Sequence, residues 1–146
     1  MKLGSYCAIL FITAGLAGAG SDPWKTSDLI EPGALVAALP SHPKVFYVGF
    51  GVLYRSKHIP GSAFAGPGAK PEGIKNLLDA VHGLDKHTRI ILYCGCCPFE
   101  QCPNIRPAFR ALREAGFDDI KVTGMPSSFG KDWIDKGYPV ETGKVL

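Results

Sequence analysis

Ile90-Ile91-Leu92-Tyr93, followed by Cys94-Gly95-Cys96-Cys97-Pro98-Phe99-Glu100-Gln101-Cys102-Pro103-Asn104-Ile105-Arg106, is the stretch from which the rest of the chain is read. Arg89 to Tyr93 is a continuous apolar run, the pattern of a strand buried on both faces of a parallel sheet. A polar loop follows, with four of the chain's five cysteines: Cys94, Cys96, Cys97 and Cys102. Beyond it Ile105, Phe109 and Leu112 recur on one helical face, and Gly116 ends that helix. A strand end, a loop and a helix start make the setting in which a thiol becomes reactive, because the opening turn of a helix favours negative charge.

The same alternation runs through the chain. Thr26 and Ser27 are cap residues for a helical turn over Asp28-Leu29-Ile30, and Glu31-Pro32 opens a second short helix with Leu35, Val36 and Leu39 on its apolar face. Pro40, His42 and Pro43 end it. Val45-Phe46-Tyr47-Val48 is a buried strand broken by Gly49-Phe50-Gly51, and Val52 to Lys57 is a loop or a single helical turn. His58-Ile59-Pro60-Gly61-Ser62 is a turn and Ala63-Phe64-Ala65 a short strand. From Pro71, Ile74, Leu77, Leu78 and Val81 mark a helix that Gly83 stops. Ile120-Lys121-Val122 is a further strand, and Phe129, Trp133 and Ile134 mark a last short helix ended by Gly137. Strands alternating with helices predict an α/β fold, a parallel sheet flanked by helices on both faces.

At 146 residues the chain fits one domain. Lys2, the uncharged apolar or small run Leu3 to Leu16, and Ala17-Gly18-Ala19 have the form of a signal peptide (1–19) cleaved after Ala19, followed by a lead-in (20–26) and the domain (27–142). The apolar core of this leader is short and Gly-rich for a membrane span, which needs about 20 residues. The expected location is therefore periplasmic or secreted, with no stable membrane insertion after cleavage. Cys7 leaves with the leader, and the four loop cysteines enter an oxidising compartment. The net charge of +3 is spread over scattered basic residues, so no nucleic-acid partner is expected. His42, His58, His82 and His87 lie apart on turns or helix ends, with His58 fixing its turn, and no Ser–His–Asp set, phosphate loop or dinucleotide fingerprint is present.

Several of these pieces together resemble a single rhodanese domain. His58-Ile59-Pro60-Gly61-Ser62 resembles the family's G-H-I-P-G-A turn. Tyr93-Cys94 resembles the V-Y-C that ends its central strand and carries the persulfide-forming cysteine. Arg106-Pro107-Ala108-Phe109-Arg110-Ala111-Leu112 resembles the helix after its active loop. Gly116-Phe117, Val122, Gly124, Trp133 and Gly137-Tyr138-Pro139-Val140 match its closing run, so the likeness covers Ser27 to Glu141. The resemblance implies sulfane-sulfur transfer by a sulfurtransferase or related thiol redox chemistry. It also implies a small sulfur-donor anion or a low-molecular-weight thiol as partner, and no cofactor. Two departures stand out. The family's I-D-V-R strand is here Phe46-Tyr47-Val48-Gly49, without the Asp and the Arg. Where the family has about four residues between its Cys and its loop Arg, eleven lie between Cys94 and Arg106, three of them cysteines.

On this reading Cys94 is the nucleophile and Arg106 binds the anion or stabilises the thiolate, with Cys96, Cys97 and Cys102 as auxiliary thiols. Cys102 is the rival nucleophile, since Cys102 to Arg106 is one residue short of the family spacing. Pro98 and Pro103 lack N–H groups, so the loop is not a plain amide cradle. Cys94 and Cys97 form a C-x-x-C pair, the spacing of disulfide exchange proteins, and Cys97 could also pin the loop by a disulfide to Cys102. A persulfide on one cysteine attacked by a neighbour would release reduced sulfur and leave a disulfide. No metal is assigned. The alternative is a non-catalytic binding module holding a soft metal or a partner through the same loop, although four ligands in one short segment strain tetrahedral closure. Phosphatase chemistry needs a C-x5-R loop that neither cysteine supplies.

Overall fold

The computed structural model describes residues 22–143; the leader expected over 1–19 lies outside them. Five strands form one parallel sheet: β1 (Leu29–Ile30), β2 (Lys44–Tyr47), β3 (Ala63–Phe64), β4 (Ile90–Tyr93) and β5 (Ile120–Thr123), in the spatial order β1-β5-β4-β2-β3. β4 is therefore central, and all four of its residues are buried. It pairs with β2 from Lys44↔Ile90 to Tyr47↔Tyr93, and with β5 from Ile90↔Ile120 to Leu92↔Val122. This register brings Cys94 to the end of the sheet at the level where β2 gives way to Val48.

Side chains alternate across a strand, so β4 feeds two cores. Ile90, Leu92 and Cys94 pack on one face with Leu77 of α3 (Pro71–Ala80) and with Phe109 and Leu112 of α4 (Ile105–Glu114). Ile91 and Tyr93 pack on the other face with Leu35 of α1 (Pro32–Ala38), Tyr54 of α2 (Gly51–Ser56) and Trp133. Full burial of a side chain such as Phe109 contributes about 1.5–3 kcal/mol through the apolar area withdrawn from water. The sheet is thus flanked by helices on both faces, as its unbroken apolar strands require. No helix among the described residues is long and apolar enough to cross a membrane.

Three segments differ in detail from the sequence reading. Leu29-Ile30 is an edge strand and not part of a helical turn; the turn stops at Asp28, and extended backbone at Leu29 pairs Leu29↔Val122 and Ile30↔Thr123. The competing pull is a free edge of β5, which local capping signals do not report. Val52 to Ser56 is helical, the helix starting at Gly51, and Lys57 is extended. The last helix is a wide turn over Gly130–Ile134 of i→i+5 type, with Trp133 Nε1 donating to the Pro139 carbonyl at 2.8 Å.

The turn at His58–Ser62 is tied to the central strand by one hydroxyl. Tyr93 Oη accepts from the Ile59 N–H at 3.1 Å and hydrogen-bonds Ser62 Oγ at 2.9 Å. His58 is buried, donates from Nδ1 to the Tyr54 carbonyl at 2.8 Å, and pairs its backbone with Glu141. Tyr93→Phe strands the Ile59 N–H in the core; we predict a loss of about 1–3 kcal/mol in urea unfolding, the penalty for a buried donor left alone.

Candidate active site

β4 stops at Tyr93 because Gly95 turns the chain with φ +87, where a Cβ would lie 2.7 Å from that of Phe129. The Gly95 carbonyl accepts from the Phe129 N–H at 3.1 Å, which anchors the loop to the segment after β5. Cys94 is left at the strand end with 1% of its surface exposed. The loop then makes a 3-10 turn over Phe99–Gln101, pinned by the Phe99 N–H on the Met125 carbonyl at 3.0 Å. That turn returns Cys102 and Asn104 to the start of α4, directly beside Cys94.

The outcome is a cluster of sulfur. Cys94 Sγ lies 3.1 Å from Cys96 Sγ, and Cys96 Sγ lies 3.4 Å from Cys97 Sγ. The sulfurs of Cys94, Cys96 and Cys102 all lie within 4.8 Å of one another. All four thiols are free, so the Cys97–Cys102 disulfide weighed from the sequence is not formed here. Three converging soft donors are a set that a thiophilic ion would fit, more compactly than the loop's spacing suggested.

The two buried thiols are driven apart in acidity. Cys102 is held down at about 6, first by the thiol of Cys94 hydrogen-bonded to it, then by the N–H groups of Asn104 and Ile105 at the helix start. Cys94 is pushed far above the ordinary thiol range, first by its hydrogen bond to Cys102 and then by burial. Burial above all, and next Cys96, push Cys97 up to about 12. Of the two, Cys102 is the readier to ionise. The helix start that the sequence reading assigned to stabilising Cys94 acts on Cys102 instead, while Cys94 keeps the strand-end position.

Arg106 makes its contacts elsewhere than on the sulfurs. Its guanidinium pairs with Asp22 at 2.6 Å, donates to the Cys102 carbonyl at 3.2 Å, and lies over the Trp24 ring at 5.3 Å. Trp24 is itself buried against Phe99 and Phe109. Arg106 thus fastens the lead-in across the Cys loop, and the long insertion is what carries it away from the strand end.

Two residues not singled out from the sequence belong to the site. Asn104 is 1% exposed; its Oδ1 accepts from the Ala69 N–H at 3.1 Å, and its Nδ2 faces Cys94 Sγ at 3.6 Å and Cys96 Sγ at 3.8 Å. An Asn immediately before an apolar helical run was the available signal. Tyr47 lines a cavity of about 300 Å³ with Cys94, Gly95 and Cys96, beside Lys57 and Phe129.

No protein-family model and no curated protein matches the chain. Solved structures do: the rhodanese-like domain of an Anabaena protein superposes with a TM-score of 0.56 at 23% identity, covering 80% of each chain. The chain has the rhodanese-like fold. A Bacillus halodurans protein matches this rhodanese-like domain with a TM-score of 0.61 at 21% identity, over 82% of this chain and 84% of its own. A thiosulfate sulfurtransferase from Pseudomonas aeruginosa matches with a TM-score of 0.58 at 21% identity, over 80% of this chain but only 20% of its own. At these identities the likeness is one of fold, and the chemistry rests on the site itself.

Asn104→Ala removes both the acceptor for the Ala69 N–H and the amide facing the sulfurs. The expected cost is about 1–3 kcal/mol, read as a lower urea midpoint with an unchanged slope.

Proposed function

We propose that this rhodanese-like domain transfers sulfane sulfur through a persulfide on Cys94. The observation that carries the reading is the placement of Cys94: at the end of the central strand, on the wall of a cavity, with the Cys102 sulfur within 4.8 Å. Cys94 attacks the outer sulfur of the donor as Cys102 takes its proton; the donor S–S bond breaks, and the leaving group takes the proton from Cys102. The products are Cys94 persulfide and the reduced donor, and Cys102 is again a thiolate.

Two discharges are open to that persulfide. A low-molecular-weight thiol can take the outer sulfur directly. Alternatively Cys102 attacks the inner sulfur, forming a Cys94–Cys102 disulfide and releasing hydrosulfide; two equivalents of a small thiol then reduce the disulfide and become one oxidised dimer. The second route is the thiol relay that the density of cysteines suggests, and Cys96, at 3.1 Å, is its other possible partner. The leader-like N-terminus supports an exported setting, periplasmic or secreted.

The test is peptide mass spectrometry after incubation with a sulfane donor, alongside turnover assays. We expect one added sulfur on the Cys94 peptide, and loss of at least about 100-fold in turnover for Cys94→Ser, since the sulfur-carrying atom is gone. Full activity in Cys94→Ser would refute the assignment. A protein that shows no turnover and carries one soft metal ion per chain on these sulfurs would be the binding module of the alternative reading.

A further inference from the structure

Tyr47 presents a hydroxyl with nothing to bond. The residue is 3% exposed, and its Oη has no hydrogen-bond partner among the described residues. It is packed among Tyr54, Phe64 and Tyr93, with ring centroids 5.6, 6.3 and 5.1 Å away, so the ring is fixed. The hydroxyl points to the same place as the Cys94 thiol. A Cβ on Gly49 would lie 2.6 Å from Tyr47 Oη and 2.9 Å from Cys94 Sγ, so the absence of a side chain at Gly49 is what lets the two groups converge. Both line the cavity of about 300 Å³. A buried hydroxyl left alone costs about 1–3 kcal/mol, and an acceptor arriving in the cavity recovers it.

The remaining lining narrows what arrives. Leu53, Phe129 and Ile134 form apolar walls, Ser56 and Ser128 add two polar residues, and Lys57 is the one cationic residue on the cavity among the described residues. Arg106 is engaged with Asp22 and the Cys102 carbonyl. Pro98 and Pro103 withhold two amides from the loop. A compact oxyanion donor such as thiosulfate, with its charge on a small sulfonate, therefore finds one cation, two serines and otherwise largely apolar walls. A short organic persulfide with a single carboxylate finds an apolar channel, one lysine at its rim and a phenol at its end.

We infer that the cavity binds a small monoanionic organic persulfide, and that Tyr47 is a catalytic residue whose hydroxyl donates a hydrogen bond to the sulfur being transferred. The inference rests on the reading that Cys94 carries the sulfane sulfur. The Cys94 thiolate attacks the outer sulfur of R–S–SH, a Cys94 S–S bond forms, the donor S–S bond breaks, and R–S⁻ leaves with the proton held by Cys102. The transferred sulfur stays within reach of Tyr47 Oη throughout. Burial first, and next the neighbouring Cys94 and Cys96, hold the phenol well above its ordinary range, so it remains a donor.

The experiment uses the mature chain, the persulfide of 3-mercaptopropionate, thiosulfate, and the variant Tyr47→Phe. The expected result is a kcat/KM for the persulfide at least about tenfold above that for thiosulfate. In Tyr47→Phe the persulfide value falls by about tenfold, the loss of one hydrogen bond to the transferred sulfur. The unfolding midpoint of Tyr47→Phe is expected not to fall, because the hydroxyl has no partner to lose; a purely structural role would move stability and leave transfer alone. Wild-type turnover by Tyr47→Phe, or a preference for thiosulfate, overturns the inference while a persulfide found on Cys94 leaves the underlying reading standing. If no persulfide forms on Cys94 with either donor, both are overturned.

Discussion

One close pairing, of the Cys94 and Cys102 sulfurs within 4.8 Å of each other, organises the site. It joins residues eight apart in sequence that sit at the end of a strand and before the start of a helix. It also sets their acidities in opposite directions, lowering Cys102 and raising Cys94. Neither residue alone would make a good nucleophile under burial, which disfavours any thiolate. Paired, one holds the charge beside helix amides and the other holds the proton beside the cavity. The division of labour between base and sulfur carrier follows from that geometry.

The scaffold exists to keep the pair in register. β4 is held between β2 and β5, which fixes the height of Cys94. Tyr93 ties the strand end to the His58–Ser62 turn, and Gly95 and Phe129 bend the loop away from the sheet. On the other side Asn104 clamps the helix start to Ala69 while its amide faces the sulfurs. Trp24 and Arg106 close the outer wall. An insertion of this length would ordinarily be a mobile loop; here aromatic packing and two backbone anchors fold it back on itself.

The α/β architecture was legible because its signal is local. Ile90–Tyr93 and Val45–Val48 are unbroken apolar runs, and the α3 and α4 stripes recur at three and four residues, so strand and helix identity needed no tertiary information. The strand-end position of Cys94 was legible for the same reason. What failed to show was whatever depends on how the loop closes. The family resemblance assigned Arg106 to the anion or the thiolate, but the inserted turn over Phe99–Gln101 directs it to Asp22. Leu29-Ile30 reads as helix until the edge of β5 is seen. Tyr47 reads as a core aromatic, and only the empty position at Gly49 reveals that its hydroxyl and the Cys94 sulfur face the same space.

The most direct measurement of the central claim is an NMR titration of isotope-labelled cysteine β-carbons in the reduced mature chain. With its folded value lowered, Cys102 stays a thiolate as pH falls until about 6 and contributes stability above that point, which is lost as pH falls through it. The account predicts that Cys102 titrates near about 6 and that Cys94 stays protonated through the ordinary thiol range. Titration of Cys94 before Cys102 would contradict it.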